Sequence, residues 1–229
     1  FSFSAGFIAK ASSTVTLAGS FATGDSLDLG PITLAETVSL DSGNALTVGV
    51  VTTSQNRLIL ESVGNLVLGN VPDLRGSLTL VDSGGTASFA ALGSSKAGLF
   101  TIIDSQQSVT ISGIVNATAM TITANQSGGV IFSGSVTANT LSVASGAGDL
   151  TFLSDVTISG TTSIVTTGQL ILGNNNTDAY SFSGGLTRTD GATTIQGKVS
   201  ASASFNISIA DVAFVGVSSV TTAAGAIAL

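Results

Sequence analysis

Residues Gly113–Ser133 read GIVNATAMTITANQSGGVIFS, and the next line, Gly134–Ser154, reads GSVTANTLSVASGAGDLTFLS. The two lines align one above the other, which places Met120 over Leu141. Apolar residues within each line stand two apart, as in a strand with one buried face. Each line holds three short strands separated by Gly, Asn and Ser. Such a unit, repeated at a fixed period, predicts one coil of a parallel β-solenoid.

The same pattern extends along the chain. SVTISG at 108–113 returns as DVTISG at 155–160, and GNLVLGN at 64–70 returns as GQLILGN at 168–174. The alignment of the two lines also places Ile131 over Phe152. We predict an all-β fold in which residues 1–229 form a single parallel β-helix, or β-solenoid, domain of about 20–22 residues per coil and roughly 11 coils. At about 4.8 Å per coil this is a rod near 50 Å long.

The charge pattern argues against nucleic acid as a partner. The chain has Lys+Arg 6 against Asp+Glu 13, a formal net charge of −7. Surfaces that bind phosphate chains cluster their cations. The six cations of this chain are scattered singly, at Lys10, Arg57, Arg75, Lys96, Arg188 and Lys198. No apolar run approaches the roughly 20 residues of a membrane-spanning helix, so we expect no transmembrane segment.

The composition favours an exported protein. Cys 0 removes disulfides and thiolate metal sites together, and charged residues make up only 8% of the chain. The sequence opens at Phe1 without a methionine, so we expect a processed or excised piece. From the repeat type and the composition we expect a secreted protein with an extracellular or cell-surface location.

The residue types offer little for catalysis. His 0 and Cys 0 exclude Ser-His-Asp triads, Cys-His pairs and histidine-bound metals. Candidate acid pairs are Asp25/Asp28, Glu36/Asp41, Asp149/Asp155, Asp82/Asp104 and Asp190/Asp211. We interpret them as corner or solvated positions that keep the rod soluble. We therefore expect no enzyme activity, no catalytic residue and no cofactor.

One run resembles a cation site. GNNNTD at 173–178 offers closely spaced oxygen ligands of the kind that calcium prefers. Runs of this kind are more often turns or asparagine ladders. We therefore predict no metal site in the chain.

The phrases SLTLVDSGG, SVTISG, DVTISG, GNLVLGN and GQLILGN resemble the strand repeats of bacterial secreted β-helix proteins, including filamentous-haemagglutinin-like adhesins and autotransporter passengers. The resemblance covers most of the chain. It implies a right-handed parallel β-helix, export, and a role in cell adhesion or in an extracellular or biofilm matrix. It carries over no functional residue. Such adhesins are typically far longer, and no secretion domain or translocator barrel is visible in this sequence.

Both ends of the sequence are apolar, whereas solenoids normally end in polar caps. The chain opens with FSFSAGFI and closes with AAGAIAL. Because the hydrogen bonds of a solenoid run along its axis, the strands at both ends have an unpaired edge. We predict an assembly interface made of Phe1, Phe3, Phe7, Ile8, Val212, Phe214, Ile227 and Leu229.

Three functional hypotheses follow, in order of preference. The first is a non-enzymatic structural protein whose copies add strand to strand through the uncapped ends into a filament, fibre or surface layer. The second is a passenger fragment of a large surface adhesin that binds glycans or matrix along its side. The third is a polysaccharide-degrading β-helix enzyme, which a groove lined by several acids with Arg or Lys would support. Exposed aromatic rings that stack on sugars are scarce, with Tyr 1 and Trp 0.

Overall fold

The computed structural model describes residues 1–9, 14–52, 55–73, 75–96, 98–123, 128–188, 190–202 and 206–229 of the chain. The described residues form short parallel strands that stack as a solenoid of about ten turns, and none of them lies in a helix. The predicted all-β solenoid is therefore confirmed. Its right-handed sense stays a prediction.

Each turn of the coil has three sides, which we name faces one, two and three in the order in which the chain passes along them. Face two contains one short strand per turn. Its eleven parallel strands are β2 (Phe7–Ala9), β4 (Leu27–Leu29), β6 (Leu46–Val48), β8 (Leu66–Leu68), β11 (Ala87–Phe89), β14 (Val109–Ile111), β16 (Val130–Phe132), β18 (Leu150–Phe152), β21 (Leu170–Leu172), β24 (Thr193–Ile195) and β27 (Val212–Phe214). The spacing between consecutive strands varies little, with the shortest steps from Leu27 to Leu46 and from Thr193 to Val212 and the longest from Leu170 to Thr193. The mean turn is about 20–21 residues long, in agreement with the predicted period.

The other two sides of the coil share one sheet of 18 strands, because four strands continue around the corner between them. The strands confined to face one are β1 (Ser2–Phe3), β7 (Arg57–Ser62), β10 (Ser77–Ser83), β13 (Gly98–Ile102), β20 (Thr162–Ile164), β23 (Leu186–Arg188), β26 (Ile207–Ile209) and β29 (Ile227–Ala228). Those confined to face three are β9 (Val71–Asp73), β12 (Leu92–Lys96), β19 (Val156–Ile158), β22 (Ala179–Phe182), β25 (Lys198–Ala201) and β28 (Ser219–Thr222). The strands that span both faces are β3 (Val15–Thr23), β5 (Ile32–Ser42), β15 (Val115–Ile122) and β17 (Val136–Val143). The chain visits face one, face two and face three in turn, and we call each strand level of the stack a rung.

The core consists of rows of inward side chains that stack from rung to rung. Leu40, Leu60 and Leu80 lie in register on face one and are fully buried. On face two the rings of Phe132 and Phe152 stack with centroids 5.0 Å apart and planes 10° apart. Each fully buried side chain of this size contributes about 1.5–3 kcal/mol. The rod is therefore stabilised by contacts between neighbouring turns.

The register of one strand differs from the prediction. Met120 pairs with Leu141 as expected, but Phe132, not Ile131, pairs with Phe152. The offset shortens by a single position because the corner between β17 and β18 is shorter than the corner between β15 and β16. A slip of this size exchanges the two sides of a strand. The predicted pairing of Ile131 with Phe152 was therefore wrong, since it would have placed an outward side chain over a buried one.

Buried hydroxyls line the corner from face one to face two. Ser42, Ser62 and Ser83 lie in register there and are almost fully buried. The Ser62 hydroxyl donates to the Asn44 carbonyl of the preceding turn at 2.7 Å, and the Ser83 hydroxyl donates to the Gly85 carbonyl at 2.9 Å. The Asn44 carbonyl also accepts the Gly64 amide at 2.7 Å, so the Ser62 hydroxyl adds a second hydrogen bond to a corner carbonyl outside the strands.

The opposite corner, from face two to face three, uses glycine. A Cβ atom on Gly49 would lie 2.8 Å from the carbonyl carbon of Gly30, and one on Gly69 would lie 2.8 Å from that of Gly49. Only glycine permits so close an approach of successive corners.

Candidate functional site

The amino-terminal end of the solenoid exposes aromatic side chains beside a free strand edge. Among the described residues, β1 pairs only with β3 and β2 only with β4. Phe1 stacks on Phe21 with ring centroids 5.4 Å apart, and Phe3 stacks on Phe7 at 4.8 Å. Phe1 is 81% exposed. Of the four residues predicted at this end, the structure therefore brings Phe3 and Phe7 into contact, whereas Phe1 lies on Phe21 and Ile8 is exposed on the outer side of β2.

The carboxyl-terminal end is open in the same way. Within the described part of the chain, β27, β28 and β29 each pair on one side only, with β24, β25 and β26. Phe214 is 48% exposed, although Ile195, its partner one rung inward, is fully buried. The difference arises because no rung covers Phe214. Ile227 and Leu229 are also exposed, and Val212 is half-buried.

The predicted interface therefore forms two groups, ten turns apart on face two. Sequence reasoning missed Val215 and Val217, of which Val217 is 76% exposed. The apolar run Val212–Val217, interrupted only by Gly216 with a φ of 62°, could have indicated them. Free strand edges beside apolar side chains are the features that β-strand addition uses.

A polar groove of about 470 Å³ lies at the corner from face three to face one. Its lining includes Gln55, Asn56, Arg57, Arg75, Ser77 and Thr118. Asp73 holds the Arg75 guanidinium at both of its oxygens, with Nε–Oδ1 at 2.9 Å and Nη2–Oδ2 at 2.6 Å. The sequence VPDLRG shows that Asp73 and Arg75 are close, but it does not show that this pair lies near Arg57. That proximity arises because successive turns stack.

A second groove, of about 350 Å³, is lined by Arg188 near the carboxyl-terminal end. Arg188 is 1% exposed and lies in register between Ile164 and Ile209. Its Nη2 donates to the carbonyls of Gly168 and Ala192, while Nε and Nη1 have no hydrogen-bond partner among the described residues. Burial lowers the pKa of this guanidinium, and the charges of the nearby carboxylates oppose the shift. Sequence periodicity alone could not distinguish this inward arginine from a surface one.

Two of the candidate acid pairs contain residues that serve the backbone of a corner. Asp149 Oδ1 accepts a hydrogen bond from the Gln169 amide at 2.7 Å, and Asp155 Oδ1 accepts one from the Ala179 amide at 2.8 Å. Asp25 Oδ1 likewise accepts the Ser26 amide at 2.8 Å. These geometries are those of corner residues.

Of the candidate pairs about one coil apart in the sequence, Asp82/Asp104 stacks and Asp190/Asp211 does not. Asp82 lies in register with Glu61, which in turn lies in register with Asp41. Burial, and then the charges of these two aspartates, raise the pKa of Glu61. Asp211 occupies a corner with a φ of 49°, and its carbonyl accepts the Thr193 amide at 2.9 Å. The register of Leu80 on Ile102, which the Gln106 amide continues by donating to the Ser83 carbonyl at 2.8 Å, places Asp104 beside Asp82 as expected. The Asp190/Asp211 pair does not appear among the strand pairings of the described residues.

The loop at 173–178 uses its oxygens internally. The Asp178 carboxylate accepts the amides of Asn174 and Asn175 at 3.1 Å each, and Asn175 Oδ1 accepts the Thr177 amide at 3.2 Å. Asn176 Oδ1 accepts the Val217 amide two turns away at 3.3 Å. The run therefore folds as a turn that braces neighbouring corners.

Two further kinds of site are absent from the described residues. They contain no group of three or more His, Cys, Asp or Glu residues placed to hold a metal ion. No helix long and apolar enough to cross a membrane occurs in the part of the chain that the structure describes. Lys10, one of the scattered cations, lies outside the described residues.

Comparison of the chain with protein-family models, with curated proteins and with solved structures found no match. The β-solenoid is compatible with the β-helix repeat proteins that the sequence resembles.

Proposed function

We propose that this chain is a non-enzymatic extracellular structural protein whose copies join end to end through the open ends of the solenoid. The observation that carries the proposal is the exposure of core-row side chains beside free strand edges at both ends. Phe214 is half-exposed at one end, and Phe1 is exposed at the other. Covering them with a further rung removes apolar surface from water, which is the main favourable term in association.

The two ends fit one another on face two. Phe7 and Ala9 lie over Leu27 and Leu29 at one end, and Val212 and Phe214 end the same two rows at the other. Head-to-tail stacking with continued register places Phe7 on Val212 and Ala9 on Phe214. Each large ring then meets a smaller side chain, which is the alternation that close packing favours.

The terminal strands of face one can share a single rung. Traced through the register, β29 lies level with the first half of the interior strands, and β1 lies level with the second half. Leu229 and Phe1 alone meet at the same row. If faces two and three of two copies stack directly, Leu229 of one copy and Phe1 of the next occupy the same position, so one of these two residues must move.

The second candidate is a passenger segment of a large surface adhesin. A segment of a longer solenoid presents the same open edges to the coils that adjoin it, and the arginine-lined corner groove favours a binding role along the side. The third candidate, a polysaccharide-degrading enzyme, needs several carboxylates in a groove. The charged residues that line the corner groove are arginines, so the described residues do not favour it.

Light scattering coupled to size-exclusion chromatography tests the end-to-end joint. Wild-type protein is expected to gain mass with concentration, whereas Phe1→Lys and Phe214→Lys, each with one blocked end, should lose the filament. Mixing the two variants leaves one intact joint and should produce dimers. Val63→Lys is the matched control, because Val63 is 68% exposed on the side of the rod. A monomeric wild type at all concentrations, or equal loss in Val63→Lys, would refute the joint.

A further inference from the structure

We propose that the corner groove at Arg57 binds an acidic oligosaccharide that lies along the solenoid axis. The groove crosses five successive turns, marked on its lining by Thr37, Arg57, Ser77, Leu99 and Thr118. Arg57, Ser77 and Leu99 lie in direct register. Four steps of about 4.8 Å give a length of about 19 Å, enough for an extended chain of several sugar units.

The groove is locally positive in a protein of net charge −7. Two of its lining residues are arginines, and Asp73 neutralises one of them, Arg75, through the paired contacts described above. The Arg57 guanidinium makes no hydrogen bond or ion pair with another described residue, and the side chain is exposed. One guanidinium is therefore available for an external carboxylate, which it can bind through two parallel hydrogen bonds.

The rest of the lining suits sugar hydroxyls. Gln55, Ser77 and Thr118 supply an amide and two hydroxyls, groups that both donate and accept. Gly76 leaves the floor of the groove without a side chain, and a Cβ there would overlap the Asn56 carbonyl oxygen. The close stacking that requires this glycine also keeps the floor of the groove clear.

The chemistry distinguishes this ligand from other chains. A nucleic acid would bring several phosphates into a groove whose described lining holds one guanidinium without a carboxylate partner, and phosphate-chain binding draws on clustered cations. A neutral glycan is usually held by aromatic stacking, and the described residues that line the groove include no aromatic ring. On β7, Glu61 follows Arg57 at about 13 Å along the strand and lies in register with Asp41 and Asp82. This acidic row confines an anionic chain to the corner.

Isothermal titration calorimetry with a tetramer of galacturonic acid tests the site. The matched ligand is the methyl ester of the same tetramer, which lacks the charge. The matched variant is Lys198→Gln, which removes an exposed cation from face three. Wild type and Lys198→Gln should bind the acid alike, and added salt should weaken binding. The ester, and the acid with Arg57→Gln, should each bind about tenfold or more weakly.

Three outcomes would overturn the proposal: no binding of the acid to wild type, equal binding of the ester, or full binding by Arg57→Gln with unchanged circular dichroism. Because the groove lies on the side of the rod, the titration can be repeated on the Phe214→Lys variant. A loss of end-to-end assembly in that variant leaves the expected binding unchanged, so the two proposals fail independently.

Discussion

The buried arginine allows a sharp test of how the core is stabilised. Replacing Arg188 with Met removes a nearly fully buried charge that lies between Ile164 and Ile209. Nε and Nη1, which have no partner among the described residues, cost about 1–3 kcal/mol each, and the two bonds from Nη2 return about 1.5–3 kcal/mol each, so these terms nearly cancel. The desolvation of the charge remains. We expect Arg188→Met to raise the free energy of unfolding by about 1–4 kcal/mol.

Urea unfolding followed by far-UV circular dichroism measures this change. For a slope of about 2 kcal/mol per M, the midpoint should rise by about 0.5–2 M with the slope unchanged. Arg188→Lys keeps a buried cation without the planar fork and should lie below the Met variant. A midpoint for Arg188→Met below that of the wild type would mean that the bonds to the Gly168 and Ala192 carbonyls outweigh desolvation, and would refute the reasoning.

Three further substitutions test the corners and the acidic row in the same assay. Burial and two like charges raise the pKa of Glu61 in the folded state, so the protonated side chain does not destabilise the fold below its ordinary pKa near 4.3, and the folded state loses stability as the pH rises through the raised pKa. Glu61→Gln should therefore add about 0.2–1 kcal/mol to the free energy of unfolding at pH 7 and nothing at acidic pH. An equal gain at both pH values would contradict this. Gly49→Ala forces a Cβ against the Gly30 carbonyl and should cost about 1–3 kcal/mol, whereas Ser88→Ala on the exposed side of face two should cost little. Ser62→Ala removes one of the two donors to the Asn44 carbonyl, which keeps the Gly64 amide, and should cost about 0.5–1.5 kcal/mol. An unchanged midpoint would show that the buried hydroxyl adds nothing.

The architecture could be predicted because a solenoid repeats its local rules. Alternation with a period of two marked the strands, and the recurrence of Met120 at Leu141 fixed the length of a turn. The error at Ile131 arose because the corner before β18 is one residue shorter than the corner before β16. An alignment at a constant offset therefore misplaces the next strand by one residue. The error becomes visible only in the structure, where Phe132 and Phe152 are both buried.

The ends were predictable in part, and the side of the rod was not. An apolar run at a terminus identifies end residues such as Phe1 and Phe214 directly. The corner groove depends on which residues of different turns become neighbours. Arg57 and Arg75 are less than one mean turn apart in the sequence, and only the path of the corner brings both to one groove. Arg188 points inward and donates to corner carbonyls, and the residues next to it in the sequence do not indicate this role.

Electron microscopy of the native protein, purified without denaturant, tests the central claim most directly. Filaments with an axial repeat near the rod length, about 50 Å for ten to eleven rungs, are the predicted result. The Phe214→Lys variant should leave single rods on the same grids, and Val63→Lys should leave filaments. Discrete short rods of the wild type at every concentration would contradict end-to-end assembly and favour a segment of a longer adhesin.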